Sequence, residues 1–196
     1  MRTRFAAASA AVVVLVLTAM TVLGVAVARD GSVDQSAARM QTMPGAEVRS
    51  EYLYLAEMVA HHREAVAAAE ELRRSERAEL RSFGESIVTT QSAQIRLMQG
   101  WLADWYPDRP GRVEYHPMMR DLTGLTGDRL DRTFLRDMIG HHMAAVMMSQ
   151  HLLASRLVEH DEVADLADDI RDEQHAEIFR MRTWLRDWFD VYRMPW

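Results

Sequence analysis

The chain has 196 residues, 48% of them apolar and 27% charged, with a net charge of −6. That is enough apolar material for one domain of ordinary size, and an acidic surface without a basic stripe argues against a nucleic-acid partner. No cysteine is present, which excludes disulfides, thiolate zinc sites, iron–sulfur clusters and cysteine nucleophiles.

Residues 1–30 read as a signal peptide or membrane anchor. Arg2 and Arg4 precede an uncharged run from Phe5 to Ala28, closed by Arg29 and Asp30. Ala26-Val27-Ala28 offers a small-residue cleavage site, while the run is longer than the usual signal core of about 7–15 residues and long enough to span a bilayer. Either outcome places the remainder outside the cytoplasm, secreted or anchored to the cell membrane, because the positive end stays inside. Residues 31–49 are polar and read as a flexible tether, its Met40 and Met43 included.

From residue 50 the pattern is helical, and no alternating strand pattern appears. A first helix carries Leu53, Met58, His61, His62, Ala65, Ala69 and Leu72. Ser75 is the expected cap of a second, which carries Phe83, Ile87, Gln91, Gln94, Met98, Trp101 and Trp105. Residues 107–127 hold three prolines and three glycines, so they form a crossover. A third helix begins near Asp128 and carries Phe134, Met138, His141, His142, Ala145, Met148 and Leu152. Asp161 is the expected cap of a fourth, with Leu166, Ile170, Gln174, Glu177, Met181, Trp184 and Trp188.

The two halves repeat. The pair His61-His62 follows Met58 as His141-His142 follows Met138, at an offset of 80 residues, while Gln91, Gln94, Met98 and Trp101 match Gln174, Glu177, Met181 and Trp184 at 83. The second hairpin loop is therefore three residues longer. A helical hairpin cannot bury its apolar stripe alone, so repeat one (50–106) and repeat two (128–190) are expected to pack as one all-α four-helix bundle over 50–190.

Imidazoles and thioethers share the inward stripe of each repeat, and both are ligands for soft transition metals. The candidate metal ligands are His141, His142, Met138, Met148, Glu177 and Met181 in the second half and His61, His62, Met58 and Met98 in the first. The first half has Ala68 where the second has Met148, and Gln94 where it has Glu177, so the second half is the expected seat of the site. A carboxylate on a core stripe needs a cation or imidazole to offset its burial. Without cysteine, His and Met suit copper. A di-iron bundle would show Glu-x-x-His, and none occurs. Glu57 and Asp137, four residues before His61 and His141, are expected to orient those rings. His116, Met118 and Met119 form a small soft cluster in the crossover. His151 and His160 are expected at the surface, and His175 at the periphery.

Met138-Ile-Gly-His141-His142-x-x-Ala145-x-x-Met148, followed by Gln174-x-x-Glu177-Ile178-x-x-Met181-x-x-Trp184-Leu185, resembles the bacterial family called domain of unknown function 305. The resemblance covers roughly residues 50–190 and implies a ferritin-like four-helix bundle, usually exported, with some relatives acting as periplasmic copper-binding proteins. It implies no catalytic mechanism. The proline usual before the doublet is Gly140 here and Ala60 in the first half. The expected function is an extracytoplasmic metal-binding protein that buffers or transfers copper. Its rivals are an envelope or interaction protein with structural core histidines, and a metal-dependent oxidoreductase. No catalytic constellation favours an enzyme.

Overall fold

The computed structural model describes residues 48–110 and 113–192. The leader assigned to 1–30 and nearly all of the tether lie outside these residues. Four helices follow in order, α1 (Glu51–Glu70), α2 (Ala78–Trp105), α3 (Gly127–Ala154) and α4 (Asp161–Phe189), with a 3-10 turn Glu71–Arg74 extending α1. Among the described residues there is no strand, and no helix is long and apolar enough to cross a membrane.

Local chemistry sets the ends. The Ser50 hydroxyl accepts the Leu53 N–H at 3.2 Å and opens α1, as a side-chain cap satisfies a donor the helix itself cannot. Ser75 does not cap α2. The cap position is Arg77, and the Ser75 hydroxyl accepts the Arg77 N–H at 3.1 Å inside the turn. Asp161 is likewise the first helical residue of α4 and His160 its cap. Asp161 and Glu162 place negative charge in that first turn, where it meets the positive end of the helix dipole. At the far end of α4, Asp190 turns to φ 55°, and the Val191 N–H reaches the Leu185 carbonyl at 3.1 Å, closing the helix with a left-handed cap.

The turn within the first hairpin is 75–77 and within the second 155–160, which is the three-residue difference the repeat offsets require. Each hairpin packs along its length, and the hairpins join through α1 and α3. The apolar side chains form two separate clusters. One holds Ala65, Leu72, Leu80, Phe83, Leu130, Phe134, Met138, Met181 and Leu185. The other holds Leu55, Met58, Met98, Ala145, Met148, Leu152, Val163 and Ile170. Along α1 the chain passes from the second cluster to the first, and along α4 it does the same. Helices α2 and α3 run the other way.

Because α2 and α3 are parallel, the crossover must traverse the length of the bundle, the single long connection of ferritin-type bundles. It does so beside α1. The Tyr52 hydroxyl meets the Pro110 carbonyl at one end, Tyr115 and Met118 meet Glu64 in the middle, and Arg74 donates to the Leu122 carbonyl at 2.9 Å at the other end.

Candidate metal centre

The two apolar clusters are separated by a polar layer at mid-bundle. His61 and His62 interrupt α1 between Val59 and Ala65, Gln91 and Gln94 interrupt α2, His141 and His142 interrupt α3, and Gln174 and Glu177 interrupt α4. All four imidazoles are buried, none more than 1% exposed. An i and i+1 pair on a helix diverges by about 100°, so each doublet sends one ring inward and the other sideways.

The inward rings are His61 and His141. They lie 3.6 Å apart between centroids, with planes at 32°. Both doublets therefore meet in one cluster, where the sequence had favoured a site in the second half. The sideways rings are anchored. His62 Nε2 donates to Gln94 Oε1 at 2.9 Å, and His142 Nε2 lies 2.7 Å from Glu177 Oε2. These two bonds obey the repeat offsets. Each places a proton on Nε2 and leaves Nδ1 buried without a hydrogen-bond partner. Glu177 is not sealed in the core: its side chain is 20% exposed, so its carboxylate stays partly hydrated while it holds His142.

The inner rings have less. Neither nitrogen of His61 has a hydrogen-bond partner, and His141 Nδ1 has none. His141 Nε2 is 3.2 Å from Glu64 Oε2, within ion-pair distance but off the line of a formed hydrogen bond. Burial first, and then the neighbouring imidazoles, hold the His61 pKa well below the usual imidazole value. Burial pushes His62 down to about 3 against its bond to Gln94. Burial also lowers His141 against the pull of Glu64. These rings are neutral at neutral pH, which is the protonation state that binds metals.

Glu64 is the site residue the sequence did not reveal. Its second-repeat counterpart is Ala144, so the repeat gives no hint of it. Its Oε1 accepts the Met118 and Met119 N–H groups, each at 2.8 Å, and its Oε2 accepts the Tyr115 hydroxyl. The Tyr115 ring stands edge-on to His61 at 6.2 Å. Burial works to raise the Glu64 pKa, but the contacts from His141, Tyr115 and Met119 outweigh it and hold the carboxyl below its usual range. Burial and then Glu64 push the Tyr115 hydroxyl up.

The candidate thioethers are all in the core. Met138 and Met181 belong to one apolar cluster, and Met58, Met98 and Met148 to the other, so sulfur flanks the imidazole layer on both sides. Among the described residues no three His, Asp or Glu side chains already stand around one ion position, so a site that took in the outer rings as well as the inner pair would have to draw them together. Gln91 and Gln174, each 3% exposed, bury an unpartnered Oε1 in the same layer.

Two sequence expectations fail here, those for Asp137 and His160. Asp137 does not orient His141: its carboxylate takes the Arg120 guanidinium, with Oδ1 2.7 Å from Nη2. In the crossover, Met118 and Met119 are half-buried and give their backbone N–H groups to Glu64, while His116 is exposed. His160 is not a free surface residue. It stacks on Trp105 at 3.7 Å and binds Glu51 Oε1 through Nδ1 at 2.6 Å. Its counterpart at the offset of 83 is Arg77, which lies 5.1 Å from the Trp188 ring and pairs with buried Asp131 at 2.7 Å. Each hairpin's turn thus sets its cap residue against a buried carboxylate and a tryptophan of the other hairpin. His151 and His175 are exposed as expected.

A family model described as "Domain of unknown function (DUF305)" matches residues 24–102 and 51–185. No curated protein matches the chain significantly. Among solved structures the chain is similar to CopM in the Cu(I)-bound form, with a TM-score of 0.64 and 32% identity over 71% of this chain and 98% of that one. CopM has also been solved in Cu(II)-bound and Ag-bound forms. A DUF305 fragment from Deinococcus radiodurans matches at 30% identity and a TM-score of 0.62, over 71% of this chain and 97% of that one. A DUF305 protein from Streptomyces coelicolor matches at 26% identity and 0.62, over 70% and 93%. With both helical hairpins inside the matched region, this chain belongs to the DUF305 family.

Proposed function

We propose that the protein binds copper outside the cytoplasm and buffers it or passes it on without turnover. The observation that carries this reading is the set of ring nitrogens on His61, His62, His141 and His142 that are buried and unpartnered. A buried polar atom left unpaired costs about 1–3 kcal/mol, so a layer built of several serves something other than stability. The residues present fit a soft ion: neutral imidazoles with bare lone pairs at the centre, thioethers above and below, and no thiolate. His61 and His141 would hold the ion, with the Nδ1 atoms of His62 and His142 as further donors and Met138, Met148, Met181, Met58 and Met98 as the sulfur supply. Glu177 and Gln94 orient the outer rings, in the way that partners of metal-bound histidines fix tautomer and direction. Copper and silver in CopM support the same ion class here, and the uncharged run near the N-terminus supports export or anchoring.

Titration of purified protein with Cu(I) against a competing chelator tests the reading. Stoichiometric binding that is lost in a His61→Ala/His141→Ala variant is expected. No binding, or binding indifferent to that variant, would end it. The rival with purely structural histidines draws on the His142–Glu177 and His62–Gln94 bonds, which satisfy the outer rings, but leaves His61 unexplained.

A further inference from the structure

Everything else in the polar layer has a partner at the repeat offset, and Glu64 does not. One carboxylate takes three donors from a segment that has no helix of its own, and it lies against His141. We propose that Glu64 is a positioning residue that pins the crossover across the His61–His141 pair, so that residues 115–119 form the cover beneath which an ion reaches the inner rings. This deepens the metal-binding reading and rests on it.

The other approaches are closed by packing or by bonds the outer rings need. Along the bundle axis, two apolar clusters block both ends. Between α2 and α4, the path crosses the His62–Gln94–Glu173 chain and the His142–Glu177 bond. On the crossover side, Tyr115 and the Glu64 carboxylate stand against the inner pair. That side is held by hydrogen bonds to a single residue, with the Arg120–Asp137 ion pair as the next anchor along the segment. Opening it leaves the helices where they are. The Glu64 carboxylate also faces His141 Nε2, so cover and ring pair share one group: whatever draws the carboxylate toward the rings loosens its hold on the cover.

Carbethoxylation of the full chain with diethyl pyrocarbonate, mapped residue by residue by mass spectrometry, tests the cover without metal. Exposed His116 and His151 serve as internal standards. In Glu64→Gln, His61 and His141 should react about tenfold faster, the change one lost hydrogen bond makes in a local opening equilibrium. His62 and His142 should be unchanged, and amide exchange at Met118 and Met119 should speed up together with the inner rings. Tyr115→Phe should give a smaller change in the same direction, and Glu177→Gln should leave His61 and His141 slow. Unchanged inner rings in Glu64→Gln, or all four histidines speeding up together, would overturn the proposal. With metal, Glu64→Gln should take up Cu(I) from a chelator faster than the unaltered protein. Failure of the unaltered protein to bind Cu(I) would instead overturn the copper reading, and the carbethoxylation pattern would still decide the cover.

Discussion

The rings of His61 and His141, 80 residues apart in the chain, lie 3.6 Å apart at a tilt of 32° where the two hairpins meet. Neither His61 nitrogen has a partner. The contact lies between two apolar clusters that would otherwise be one core, so the bundle gives up packing at its middle to place two neutral imidazoles against each other. This yields a prediction about stability and binding that point in opposite directions. The double change His61→Leu/His141→Leu should raise the stability of the metal-free protein by about 1–3 kcal/mol, because unsatisfied buried groups are replaced by apolar ones. The same variant should lose Cu(I) binding. Urea midpoints and chelator competition on one preparation measure both.

The anchored rings behave differently. Glu177→Ala and Gln94→Ala remove the partner that fixes an outer imidazole, and loss of such a partner typically lowers metal affinity about 10–100-fold. Affinity should fall in this range without abolition, and Cu(I) competition isotherms would show it. An unaltered affinity in both variants would remove the outer rings from the site.

Acid should destabilise the metal-free bundle early. The pKa values of His61, His62 and His141 are lowered from 6.5 in the fold, so below that value the unfolded chain binds protons that the folded one refuses. Stability is then fully present above about pH 6.5 and falls as pH drops through the window toward the folded values, for His62 about 3. The slope is about 1.4 kcal/mol per pH unit for each such histidine. Urea midpoints at pH 7.5, 6 and 5 should decline progressively, and the decline should be shallower in His61→Leu/His141→Leu. Equal midpoints at the three pH values would contradict the neutral-ring assignment.

The buried carboxylates at the hairpin ends separate burial from charge. Asp131 is fully buried against Arg77, while Asp128, which pairs with the same guanidinium, is 72% exposed. Asp131→Ala should cost about 2 kcal/mol, because Arg77 loses its inner partner but keeps a wet one. Asp128→Ala should cost under about 1 kcal/mol. Thermal or urea unfolding of the two variants side by side provides the check.

Two helical glycines give a backbone test of the packing. A Cβ at Gly84 would sit 2.7 Å from the Ala69 carbonyl oxygen and 3.0 Å from Leu72 Cβ, whereas one at Gly140 meets nothing within 4 Å. Gly84→Ala should therefore destabilise the α1–α2 contact, and Gly140→Ala should stabilise α3 by about 0.5–1 kcal/mol. Opposite shifts in melting temperature are expected.

The fold was legible because its signals are local and doubled. Helical periodicity, two hairpins and the difference between 80 and 83 residues were enough to place the four helices and the longer second turn. The inward Met and His stripes were legible for the same reason. What stayed hidden depends on contacts distant in sequence and absent from the repeat. Glu64 finds its partners about 51–55 residues away in the crossover, and Ala144 at the equivalent position conceals its importance. His160 looks like a surface residue until Glu51, 109 residues earlier, is seen to bind it. Asp137 has the spacing to orient His141, but Arg120 offers it a bidentate partner on the outside.

That Glu64 has no twin sets a limit on how such a bundle can be assembled. Two separate copies of either hairpin, associating about a dyad, would carry this acid twice or not at all, and would have no linking strand to fasten with it. Only a chain that joins its halves covalently can own a single latch, and so possess a front and a back at its centre.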